Sequence, residues 1–139
     1  MNKTIAFLIL CSLSFTQIVC ASETIFVVAN TSDKSIELSR QQVRNLFMGS
    51  VIPYKLKAIA LPPNNQTRVL FNTKVVGLTE TRIQSYWAQM RFTGRKKPPK
   101  EVNNERSLLE YLKENKGTVG YLSTSEDIPS ELTILFKIN

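Results

Sequence analysis

The chain has 139 residues, with 18 Lys and Arg against 11 Asp and Glu, a formal net charge of +7, two cysteines and no histidine. That length suits one ordinary domain. The composition excludes catalysis and metal binding by histidine, and the positive balance favours anionic partners.

Met1 to Lys3 is a short basic start, residues 4–19 are dominated by apolar side chains, and Val19, Cys20 and Ala21 offer the small or apolar residues that a signal peptidase reads. This is the pattern of a secretory signal peptide cleaved after Ala21, which implies a periplasmic protein. The apolar run is too short for a good transmembrane helix. Lipidation at Cys20 is disfavoured, because Gln17, Ile18 and Val19 lack the usual leucine and small residue. Cys11 and Cys20 both leave with the signal, so the mature domain, residues 22–139, has no disulfide, thiol nucleophile or thiolate metal site. Its core must hold it unaided. Loss of Lys3 leaves a charge of +6, 17 basic minus 11 acidic residues.

Residues 23–30 contain Ile-Phe-Val-Val-Ala, a short buried strand. Residues 31–34 make a turn. Ser39 caps the next helix, Gln42 completes a capping box, and Leu38 staples onto Val43. Val43, Leu46 and Phe47 form its buried stripe, and Gly49 ends it. After an extended turn at 51–54, residues 57–61 form the second strand. A polar hinge follows, and a helix runs from it to about Val76, stopped by Gly77. Thr79 caps a helix with Ile83, Tyr86, Trp87 and Met90 at i, i+3, i+4 and i+7, where Tyr86 and Trp87 belong to the core. Residues 91–100, with Gly94, Pro98 and Pro99, read as a loop. Asn103 or Asn104 starts another helix with Leu108, Leu109 and Leu112 on one face and Gly117 as its C-cap. Residues 118–122 and 132–138 are strands, with Gly120 where a strand passes close to other backbone and Tyr121 either in the core or at a cleft edge. Alternating strands and helices predict an α/β domain: a mixed sheet flanked by helices.

The hinge is the first candidate site. Asn64, Asn65 and Thr67 are good N-cap residues, and free backbone N–H groups with the positive end of a helix dipole suit an oxyanion. Asn65, Gln66, Thr67 and Arg68 can therefore cradle a phosphate or sulfate. Equally, Asn65 or Thr67 merely caps the helix and Arg68 is a solvated first-turn residue. The second candidate is the basic loop, which carries Arg91, Arg95, Lys96, Lys97 and Lys100 without one acid. Arg95, Lys96 and Lys97 form a patch for an anionic partner, or a solvated loop that aids solubility. No catalytic constellation emerges. Asp33, Glu80, Glu101, Glu105 and Glu110 are scattered along the chain, mostly at turns or on helix surfaces, and no carboxylate cluster suggests a metal. No cofactor is expected.

The order of motifs resembles that of the phosphate-binding proteins of bacterial ABC transporters, within the type 2 periplasmic-binding-protein superfamily. The matching pieces are the Leu38-to-Gly49 segment, the strand followed by Asn64 to Phe71, Trp87 to Gly94, Pro98-Pro99, and Lys116 to Tyr121. Together they cover nearly the whole mature chain. The resemblance implies a single lobe of that fold, no enzymatic activity, and weak phosphate or oxyanion binding at residues 65–68. The sequence departs from the family in two ways. Members that bind phosphate enclose it between two lobes, and this chain is long enough for about one. Where the family usually carries a Gly-Ser-Gly-Thr type loop after an Arg, this chain has Asn65, Gln66 and Thr67, with Arg68 following, so the glycines that let backbone approach an anion are missing. The alternative function is an envelope protein-interaction module that kept the fold without ligand binding. Nothing resembles a base-reading motif, and export argues against a nucleic-acid partner.

Overall fold

The computed structural model describes residues 23–125 and 128–139. The signal-peptide reading falls outside the described residues. Five strands, β1 (Ile25–Ala29), β2 (Lys57–Ala60), β3 (Lys100–Glu101), β4 (Thr118–Leu122) and β5 (Thr133–Ile138), form one mixed sheet in the order β3-β2-β4-β1-β5. β2 runs parallel to β3 and β4, whereas β1 is antiparallel to β4 and β5. Every residue of β1 and β4 is buried, so both faces of the sheet centre are covered. Neighbouring residues of β4 show how. Tyr121 points toward helices α1 (Arg40–Phe47) and α2 (Gln66–Phe71), where its ring stacks on Phe71 at 4.0 Å and meets Phe47 edge-on at 5.5 Å. Gly120 faces the other way, under Leu108 of α4 (Glu105–Glu114).

The helix starts follow their caps. Ser39 and Gln42 complete the capping box of α1, Thr79 caps α3 (Glu80–Phe92), and Asn104 caps α4. Three expectations need adjusting. The helix after the hinge turns π-helical at Asn72–Val76, where the Gly77 N–H reaches back five residues to the Asn72 carbonyl at 2.7 Å. Asn115, not Gly117, is the C-cap of α4; Gly117, at φ 78°, instead links β1 to β2, giving its N–H to Asn30 O and accepting from Lys57 N. Residues 91–100 were expected to be loop throughout, but the chain straightens at Lys100 and Glu101 to add β3 beside β2.

Gly120 has no room for a side chain. A Cβ there would sit 2.7 Å from Leu108 Cδ1 and 2.9 Å from its Cγ, and Leu108 is fully buried. Gly120→Ala should therefore destabilise the domain by about 1–3 kcal/mol through overpacking. Urea unfolding checks this: the midpoint should fall while the slope stays unchanged.

Candidate functional site

The hinge after β2 folds into a cap. The Asn65 side-chain oxygen accepts from Thr67 N at 2.9 Å and from Arg68 N at 3.3 Å, so it satisfies two of the donors that an incoming oxyanion would need. Gln66 is exposed. The Thr67 hydroxyl donates to the Glu105 carboxylate, whose same oxygen accepts from Ser123. Of the four residues, then, one caps the helix, one lies in solvent and two turn inward.

Arg68 is the centre of the arrangement. Only 6% exposed, it is not the solvated first-turn residue that one reading of the sequence allows. Its guanidinium meets Glu80 of α3 two-pronged, Nε to Oε2 at 2.9 Å and Nη2 to Oε1 at 2.6 Å. Nη1 donates to Glu101 Oε1 of β3 at 2.9 Å and to the Leu61 carbonyl, just past β2, at 2.6 Å. Asn72 and Gln84 add donors to Glu80. Burial works against both charges of the pair. Nevertheless the hydrogen bonds and charge of Glu80, with the bond to Glu101, hold Arg68 protonated, and those of Arg68, Gln84 and Asn72 keep the Glu80 carboxyl below its ordinary value of 4.5. Tyr121, whose hydroxyl oxygen accepts from Leu61 N at 3.1 Å, is buried and its phenol is pushed up, so it stays neutral.

Three carboxylates 12, 33 and 38 residues from their partners therefore converge on residues 67 and 68. The scattered reading of Glu80, Glu101 and Glu105 holds along the chain but not in space. Beside the pair, Asn72, Trp87, Pro98 and Tyr121 line a partly open space of about 50 Å³, room for a few waters and far below an ordinary ligand pocket. Among the described residues, no group of three or more His, Cys, Asp or Glu is placed to hold a metal ion.

The second candidate is arranged differently. Arg91, Gly94, Arg95, Lys96, Lys97 and Pro98 line an open hollow of about 640 Å³ at the end of α3. Among the described residues none of its four cations forms an ion pair, whereas Lys100 turns away over the Tyr111 ring at 4.6 Å. The loop is seated on the end of α1. Gly49, at φ 75°, leaves space that a Cβ would take from Trp87 Cη2 and Lys96 Cδ, which would lie 3.1 and 3.2 Å from it. Arg95, Lys96 and Lys97 thus share one concavity with Arg91, which the sequence places in the same basic stretch.

No protein-family model matches the chain, and no curated protein does. Among solved structures, the chain is similar to an ABC-type phosphate transport receptor from Vibrio cholerae, with a TM-score of 0.59 and 14% identity over 80% of this chain. The likeness is one of fold: an α/β lobe with a mixed five-stranded sheet, like that of a periplasmic binding protein. The match covers 44% of the receptor, so this chain corresponds to less than half of that protein.

The buried pair makes a sign-definite prediction. Because the Glu80 carboxyl is depressed in the folded state, its contribution is present above about pH 4.5 and is lost as pH falls through the lower folded value. Urea unfolding from pH 6 to pH 3 should show stability falling below about 4.5, with a shallower fall in Glu80→Gln. Arg68→Met, which strands Glu80 and Glu101, should cost about 2–4 kcal/mol at neutral pH, near the low end for a broken buried pair because both carboxylates still reach water.

Proposed function

We propose that this chain is an exported, non-enzymatic lobe of the substrate-binding-protein kind that works by docking on an anionic partner in the envelope, not by enclosing a small ligand. One observation carries the reading: the guanidinium that would meet an oxyanion is already held two-pronged by Glu80 and singly by Glu101. A phosphate arriving at residues 65–68 would have to displace these carboxylates, and Glu105 from Thr67, or sit among their negative charges at short range. The similar receptor is named for phosphate transport. A lobe of this fold that retains phosphate binding would have to use Asn65, Gln66, Thr67 and Arg68 in a rearranged hinge. The four cations around the α3–β3 loop, which have no ion-pair partner among the described residues, offer a docking surface that needs no rearrangement.

Calorimetric titration and thermal shift with millimolar inorganic phosphate separate the two. The docking reading expects no saturable heat and no rise in Tm. Saturable binding that Thr67→Ala removes, in a variant whose unfolding shows it folded, would overturn it and restore the oxyanion site.

A further inference from the structure

The basic hollow does not stand alone. Phe92 lies in the chain between two of its lining residues, Arg91 and Gly94, and its side chain is 94% exposed. Val51 is 93% exposed, two residues beyond the glycine on which the Lys96 stem rests. An aromatic and an aliphatic side chain left almost wholly in water are costly to solvate, and each becomes favourable once an apolar phase covers it. Both flank a loop with four cations lacking an acidic partner among the described residues. The chemistry that matches both halves is an amphipathic surface, negative at its face and apolar just beneath it. A purely acidic surface would satisfy the cations and leave Phe92 and Val51 wet.

We propose that the α3–β3 loop binds the surface of an anionic lipid bilayer. Arg91, Arg95, Lys96 and Lys97 engage phosphate headgroups, while Phe92 and Val51 enter the headgroup–acyl boundary. The inference rests on the reading of this loop as the docking surface and names what it docks on. Two apolar side chains and four cations make attachment through this loop peripheral and reversible; among the described residues no helix is long and apolar enough to cross a membrane. Attraction between exposed charges is screened by salt, so binding falls as salt rises.

Co-sedimentation of the mature domain with phosphatidylglycerol-containing vesicles tests this, with phosphatidylcholine vesicles and soluble poly-glutamate as the other arms. Binding is expected to the anionic vesicles alone, reduced about fivefold for each cation neutralised and about tenfold in Phe92→Ser. Phe92, Arg91, Arg95 and Lys97 are exposed and Lys96 is half-buried, and matched thermal unfolding shows whether each variant keeps the fold. Poly-glutamate binding lost on reversal of Arg95, Lys96 and Lys97 to glutamate, without vesicle binding, overturns the lipid proposal while leaving the docking reading in place. Vesicle binding that survives this reversal, or no binding in any arm, overturns both. Vesicle binding indifferent to Phe92→Ser overturns the insertion and leaves charge alone.

Discussion

A guanidinium withdrawn from water must be matched or it unfolds what buries it, and Arg68 is where this chain meets that demand. Its four hydrogen bonds run to the end of β2, to the first turn of α3 and to β3. The consequence is architectural. α3 leads into the basic loop and β3 leads out of it, and one side chain holds the start of the first and the second of the two residues of the other. A strand of two residues has little pairing of its own, so Glu101's bond to Arg68 is a substantial part of what keeps β3 beside β2.

The same arrangement sorts the charges. Around residues 67 and 68 one arginine faces three carboxylates, so the interior of the hinge is negative on balance. The chain's positive excess lies elsewhere, and the loop at the end of α3 holds a dense share of it. Two sites that looked alike in the sequence, each polar and cationic, differ in that the arginine of one is paired within the fold, whereas the cations of the other have no acidic partner among the described residues.

Most of the fold was legible in the residues. Ser39 with Gln42, Thr79 and Asn104 mark helix starts through local chemistry that tertiary structure seldom overrides, and the apolar runs at 25–29 and 118–122 admit little but buried strands. β3 was hidden, because Lys100 and Glu101 carry no strand pattern and pair with Ile59 and Ala60, far earlier in the chain. The π-turn was hidden too; at its first residue Asn72 donates to Glu80, a partner in the next helix. The site was legible in position but not in partnership. Asn65 reads as a cap and is one, whereas nothing in the spacing of Glu80, Glu101 and Glu105 reveals that all three return to the hinge. Contacts across 12, 33 and 38 residues are properties of the topology.

The sheet order has a further consequence. β1 pairs with β5 so that Ile25 lies opposite Ile138, and Thr24 hydrogen-bonds Asn139. The two ends of the described domain therefore emerge side by side on β1 and the edge strand β5, three and four strand spacings, about 14 and 19 Å, from β3 at the other edge. A fluorophore, an affinity handle or a neighbouring domain joined at either end grips the lobe by the edge farthest from its basic loop. The same proximity would let a short linker close the chain into a ring, with new ends opened elsewhere, without disturbing either the hinge or the loop.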